Sequence, residues 1–368
     1  MANTYKVYRN GILVASPTAS PYTDTGLTNG VSYSYRVSAV NAVGEGPQSN
    51  TVTATPVAAG SPITNLQSAL NSTLSGSTLN CSGQTFNLSG AYLVIPTNVT
   101  LENAVLNWVG GAGAAQDGFV IFNNGSKINN VTTTGGPYAA LRIWSGVNGA
   151  QIINCDISGA PKLGIIGWQN NNLLISGGNV HGNNPGGGGE GNEAGGIKLG
   201  DSTNFVISTV NVYNNKGPGI WEDVSCAGGE IVSNFVYDNT YAGIMSEISA
   251  AGAHIHLNAV HDCGWGDSRD SFAGGILYSS TKGTNIEYNT VAWCPTGIIG
   301  ISQAGRSTSV AGTSVTNNKV KVSAGRNEES NYAESGAPTD WGPFTGNTTA
   351  SNSDLMAAGI PTSPEPGH

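Results

Sequence analysis

The sequence predicts an all-β chain, most of it a solenoid of stacked parallel strands. Three observations carry that prediction. Of 368 residues 53 are glycine and only 10% are charged, a balance that suits repetitive, turn-rich strands better than a helical or α/β enzyme. From Ile128 a short motif recurs: an aliphatic, two residues, often Asn, one residue and a second aliphatic. Its starts at Ile128, Ile152, Ile175, Ile207, Ile231, Ile255, Ile286 and Val315 lie 24, 23, 32, 24, 24, 31 and 29 residues apart, a unit of 23 to 24 residues with occasional insertions. About 13 residues after most starts comes a second short run, as in "GIIGW", "GIKLG", "GIWED", "GIMSE" and "GILYS".

Residues 1–56 read differently. "TYKVYRNG" has the alternation of a strand and ends in an Asn-Gly turn, and "ILVAS", "YTDTGL", "SYSYRVSAVNAVGEG" and "NTVTATP" continue the pattern. With its Tyr-x-Tyr-x-Val-x-Ala-x-Asn run from Tyr33 to Asn41, this stretch resembles the later strands of a fibronectin type III domain. The first two strands of that family have no counterpart, so the sandwich is expected to be incomplete, with an open edge prone to association. The opening "MANTYKVYRNG" lacks the apolar core of a signal peptide. "PVAAGSP" makes residues 57–62 a plausible linker.

"ITNLQSALNSTL" places Ile63, Leu66 and Leu70 at helical spacing, as expected of a short cap on the first rung of a solenoid. The solenoid itself is expected over residues 63–345. Asn stacked at turns and aliphatics stacked inside are what a parallel β-helix needs, with equivalent residues ~4.8 Å apart up the stack. A leucine-rich repeat would require leucines at fixed places, which are absent. In this the chain resembles the right-handed parallel β-helix proteins of the pectate-lyase-like superfold, and the resemblance, together with the general crossover rule, implies the right hand. Residues 346–368 form a tail whose apolar segment is expected to lie back over the last rungs.

Strand side chains alternate. If the isoleucine of each "GI" run points inward, a first outward row holds Arg142, Ile166, Lys198, Trp221, Met245, Leu277 and Ile299. A second holds Trp144, Trp168, Gly200, Asp223, Glu247, Ser279 and Ile301. Asp223 and Glu247 thus fall in register on consecutive rungs of what is expected to be a solvent-facing strip. Like charges opposite one another in a sheet are unfavourable, so their presence in so charge-poor a chain points to a site. Lys198, one rung earlier with Gly200 leaving room beside it, is the nearest counter-charge. Glu222 should point inward, an unusual place for a carboxylate.

Two insertions precede "GI" strands, residues 181–196 and 261–275, and should wall a groove around these rungs. Glu193, His181, His261, Arg269 and Asp270 could reach in from them. Trp144, Trp168 and Trp221 would offer flat apolar faces to sugar rings, with Tyr278 nearby. Stacking of aromatics purely as a ladder is the competing explanation for Trp144 and Trp168. The order "EAGGIK" (Glu193 to Lys198), "GIWED" (Gly219 to Asp223) and "GIMSEIS" (Gly243 to Ser249) resembles bacterial secreted β-helix repeat proteins. That resemblance implies a shared site at these positions without fixing a reaction.

Several classes are disfavoured. A net charge of -9 argues against nucleic acid, which needs a basic face. No run approaches 18 apolar residues, as a membrane span requires. Five cysteines without metal-ligand spacing give no strong zinc site. Cys263 and Cys294 should stack, either as a disulfide or as two buried thiols, and Cys155 should be core. His254 and His256 flank an inward position and read as surface residues. What remains is a secreted carbohydrate-active protein cleaving a polysaccharide in a groove, by hydrolysis or elimination. Asp223, Glu247, Lys198 and Glu193 would be catalytic, and Trp144, Trp168, Trp221, Arg269, Tyr278 and His261 would bind substrate. Ca²⁺ at Asp223 and Glu247 is the one cofactor expected. The alternative is a non-catalytic glycan-binding adhesin, phage tail or cell-surface component, monomeric or trimeric.

Overall fold

The computed structural model describes residues 4–18, 22–28, 31–41, 44–54, 65–114, 117–189, 193–249, 251–266, 273–306, 309–323 and 326–365. The chain divides into two compact units, Met1–Ile63 and Thr64–His368; the expected linker at 57–62 lies outside the described residues.

The first unit is one antiparallel sheet. Strand Thr4–Arg9 lies between Ile12–Ala15 and Tyr33–Asn41, pairing Val7 with Val37, and the last also pairs with Gly44–Glu45 and Val52–Ala54. The "YTDTGL" stretch, expected as a strand, is irregular instead. Its Asp24 is drawn to Arg9 and Tyr35 side chains, at 3.0 and 2.7 Å, rather than to a backbone ladder. Val7 is buried, while Ile12, Val37 and Val52 are exposed.

In the second unit a helix, Leu66–Ser72, follows the N-cap Asn65, whose side chain accepts from the Ser68 amide at 2.8 Å. Leu66 and Leu70 are its buried face. Gln67 ties it to the outermost strand Leu93–Ile95 by bonding both backbone groups of Val94, at 2.7 and 2.9 Å. Parallel strands then stack in two long arrays. A representative rung runs Val206–Ser208, bends, continues as Asn211–Tyr213, turns, and returns as Ile220–Asp223. The third strand of each rung joins a ten-stranded sheet extending from Leu93–Ile95 to Asn327–Ala333.

The repeat starts stack one upon another: Ile128, Ile152, Ile175, Ile207, Ile231, Ile255, Ile286 and Val315 are successive register partners, all buried. The motif's asparagine forms the corner. Asn234, Asn258, Asn289, Asn318 and Asn347 make a ladder in which each backbone N–H and each Nδ2 donates to the next Oδ1, at 2.8–3.0 Å. The residue before each of the first four is left-handed, with φ 56–58° at Ser233, Leu257, Tyr288 and Asn317. That conformation is uncommon for residues as bulky as Leu257 and Tyr288, and the ladder holds it in place. A second stack, Asn183, Asn215 and Asn239, passes into Cys263 and Cys294. These two cysteines are free, buried thiols, as is Cys155. Burial and the adjoining Cys263 sulfur push the Cys294 thiol well up.

The tail forms the helix Asn352–Ala357, opened by a Ser351–Asp354 capping box. Leu355 and Ile360 bury themselves against Ala292 and Trp293, and Trp293 Nε1 donates to Pro361 O at 2.8 Å. Among the described residues no helix is long and apolar enough to cross a membrane.

Candidate functional site

The ten-stranded sheet carries the predicted rows in the predicted register. Arg142, Ile166, Lys198, Trp221, Met245, Leu277 and Ile299 are successive partners. Gly200 pairs with Asp223, and Glu247 with Ser279; Glu222 pairs with Ser246, so Asp223 and Glu247 fall one rung apart. Strand ends place both acids. Val224 and Ser225 after Asp223, and Ile248 after Glu247, turn left-handed, and the Val224 amide donates to Asp223 Oδ1 at 2.8 Å.

The expected solvent-facing strip is in fact buried. Lys198 is 6% exposed, Trp221 2%, Asp223 7% and Glu247 7%. Tyr241 and Ala242, just before the next "GI", belong to one buried apolar cluster with Trp221, Met245, Leu277, Ile299 and Ile301. Alternation gave the side of the strand correctly and said nothing of what lies across from it.

The two acids do not face each other as bare charges. Lys198 Nζ lies 3.1 Å from Asp223 Oδ2 and 3.7 Å from the Trp221 ring centroid. Arg306 Nη2 approaches Glu247 Oε1 at 3.7 Å. Cation, carboxylate and indole face thus meet within one desolvated patch, where charge interactions are strong. Arg306, far along the chain and outside the repeat motif, carried no sequence signal. Trp221 Nε1 is buried without a hydrogen-bond partner. Gly200 makes room not for Lys198 but for Trp168: a Cβ there would fall 2.1 Å from Trp168 Cζ3.

On the opposite side of the same strand Glu222 does point inward. It is 1% exposed, its Oε1 accepts from Ser246 Oγ and from the Ala253 amide, the latter at 3.1 Å, and its Oε2 has no hydrogen-bond partner. Thr281 and Thr284 hydroxyls adjoin Ser246 at 3.1 Å. Burial pushes the Glu222 carboxyl up to about 7, and the nearby Asp223 charge adds to the rise against the hydrogen bonds from Ser246 and Ala253.

The remaining expected residues disperse. Glu193, in the turn leading into the strand of Lys198, is held away from it by Tyr138, whose hydroxyl donates to its Oε2 at 2.6 Å and which precedes the strand Ala139–Ile143 two rungs away. Trp144 and Trp168 are half-buried and stacked, with centroids 6.3 Å apart, and the Arg142 guanidinium lies 4.9 Å above Trp144. Tyr278, expected at the groove, is an interior residue: 1% exposed, it passes over Gly300 and donates to Asn331 Oδ1 at 2.9 Å. His261, expected in a groove wall, belongs to the other array. It stacks on Tyr237 in a ladder with Tyr213 and His181, its Nδ1 lying 2.7 Å from Asp262 Oδ2. Asp262 in turn lines a cavity of about 470 Å³ with Asp238, Trp265 and Glu365. Arg269 and Asp270 lie outside the described residues. Of the first insertion, Lys162 Nζ and Lys216 Nζ each pin a backbone carbonyl at 2.8 Å, Gly188 O and Pro185 O.

Calcium takes six to eight oxygen ligands. At Asp223 both carboxylate oxygens are already engaged by Lys198 and Val224, and Glu247 faces Arg306. The His/Cys/Asp/Glu grouping within ligand distance among the described residues is instead Glu230, His254 and His256.

Residues 89–260 match a family model described as the right handed beta helix region, which agrees with the parallel stacking and gives its hand. Among solved structures, a periplasmic alginate epimerase double mutant superposes with a TM-score of 0.53 at 15% identity, over 70% of this chain and 62% of its own. An alginate lyase from Paenibacillus sp. str. FPU-7 superposes with a TM-score of 0.50 at 14% identity, over 73% of this chain and 95% of its own. At such identities the likeness is one of fold. A poly(3-hydroxybutyrate) depolymerase from Ralstonia pickettii is 53% identical over 55 residues, 15% of this chain and 11% of that protein. The chain therefore spans a small part of the depolymerase and under two thirds of the epimerase.

Proposed function

We propose that this chain acts on a polysaccharide at the ten-stranded sheet and hydrolyses it with Asp223 and Glu247. The observation that carries this reading is the Lys198–Asp223 pair, buried against Trp221 in a chain that is only 10% charged. Burying charges costs several kcal/mol per ion unless they are well paired, and such arrangements concentrate at functional sites. Rungs ~4.8 Å apart bring the two carboxyl groups near the ~5 Å separation that retaining glycosidases use. Asp223, fixed by Lys198 and the Val224 amide, is then the nucleophile; Glu247, beside the more exposed Arg306, is the acid and base. Elimination is the weaker reading, because Lys198 would have to give up a proton while its ammonium contacts a carboxylate. Calcium at the acids would have to displace Lys198 and Arg306. Two proteins of this fold act by name on alginate, a uronate polymer, which puts uronic polysaccharides first among substrates and an extracellular or periplasmic setting with them.

The half-buried Trp144–Trp168 stack favours a second reading, in which the chain binds glycan without cleaving it. Both are tested by incubating the protein, Asp223→Asn and Glu247→Gln with neutral and uronic polysaccharides, with and without calcium. Hydrolysis gives reducing ends from wild type, lowered about 10²- to 10⁴-fold in Glu247→Gln, the usual worth of general acid–base catalysis. Ultraviolet absorbance from an unsaturated uronate would replace hydrolysis by elimination. Retained glycan binding with no product would leave the binding protein.

A further inference from the structure

We propose that Glu230, His254 and His256 form a surface site for a zinc-like divalent metal ion, bracing two consecutive rungs from outside. His254 and His256 flank the buried Ile255 on one short strand, so both imidazoles project to the same outer face. Their rings are stacked, centroids 3.9 Å apart and 12° from parallel. Glu230 is the register partner of His254 one rung before, and Glu287 that of His256 one rung after. The contacts run diagonally: His256 Nε2 lies 2.9 Å from Glu230 Oε1, and His254 Nε2 lies 2.8 Å from Glu287 Oε1. The ligand atoms of Glu230, His254 and His256 all lie within 4.8 Å of one another.

Two neutral imidazoles and a carboxylate are a donor set that Zn²⁺ favours, with the fourth position left to water or a further carboxylate. Glu287 stands ready for that position, its Oε1 steadied by Asn285 Nδ2 at 3.2 Å. On binding, the ion would take the place of the imidazole–carboxylate contact between His256 and Glu230. The residues remain reachable, with side chains 39% exposed at His254, 16% at His256 and 44% at Glu230. The sheet bearing them is not the one that carries Asp223 and Glu247.

The test uses the full, tag-free chain, stripped with chelator and titrated with Zn²⁺ by calorimetry, and its thermal unfolding with and without the ion. One ion should bind per chain and raise the unfolding temperature. His254→Gln, His256→Gln and the more exposed Glu230→Gln should each weaken binding at least about tenfold, the lower end of what losing even an outer-shell partner costs. His181→Gln, on another part of the array, should not. No uptake by wild type, or uptake unchanged in the His254→Gln/His256→Gln double variant, overturns the proposal; Glu230→Gln keeps it testable should a histidine variant fold poorly.

Discussion

The buried carboxyl of Glu222 makes the solenoid's stability depend on pH in a direction opposite to that of most acids. Below about pH 4.5 the group is neutral in both the folded and unfolded chain. Between about 4.5 and about 7 the unfolded chain loses the proton while the folded chain keeps it, so stability falls as pH rises. Above about 7 both forms are ionised and the loss is complete. Each pH unit between the two values is worth about 1.36 kcal/mol, so the whole loss is ~3 kcal/mol. Glu222→Gln removes the titration while keeping the shape and an oxygen for Ser246 Oγ and the Ala253 amide. Its NH₂ replaces Oε2, which has no hydrogen-bond partner to lose. Thermal unfolding of wild type and variant is followed from about pH 4.5 to about pH 8, where the linkage acts. The curves should converge at the acid end, and the variant should unfold higher at the alkaline end by on the order of 5 °C, at ~2 °C per kcal/mol for a large unit. Parallel curves, or a variant less stable at alkaline pH, would refute the argument that the folded interior holds this carboxyl neutral.

Two further changes test the packing. Asn258→Leu leaves the buried Asn234 N–H and Nδ2 without the oxygen they share, at ~1–3 kcal/mol for each unsatisfied group, so denaturant midpoints should fall sharply while Lys282→Ala, at an exposed position, changes little. Lys198→Met strands the Asp223 carboxylate in its buried patch, which should cost ~3–5 kcal/mol; adding Asp223→Leu should restore most of that in urea unfolding, and a double variant no better than the single would show that the ion pair is not what holds the patch.

The register of the fold was legible because stacking demands like beside like. An aliphatic under an aliphatic and an Asn under an Asn leave a period that survives insertions, and every repeat start from Ile128 to Val315 proved to be a rung neighbour of the next. The site was only half legible. Alternation set Lys198, Asp223 and Glu247 on one face and Glu222 on the other. It could not report the apolar cluster that Tyr241 and Ala242 join, nor Arg306 beside Glu247, because alternation along one strand carries no information about what lies across from it. Tyr278 was misplaced for a related reason: it follows the outward Leu277, so alternation itself sends it inward, where it fills the space above Gly300. His254 and His256 were read as surface residues, and so they are; that they meet Glu230 and Glu287 depends on diagonal contacts between rungs that a single-rung pattern does not express.

The asparagine corner has a direction. From Asn234 to Asn318 each amide donates to the Oδ1 of the next Asn toward the C-terminal end and, with its other hydrogen, to an aliphatic residue's carbonyl one rung toward the N-terminal end. Cleaving the corner between the rungs of Asn234 and Asn258 would therefore leave unlike faces: an Asn N–H, an Nδ2 hydrogen and an Ile carbonyl on the upstream piece, and an Asn Oδ1 with one Nδ2 hydrogen on the downstream one. Each face is the complement of the other rather than of itself. Truncated copies of this chain should accordingly join end to end in one polarity, growing as open filaments instead of closing into symmetric pairs.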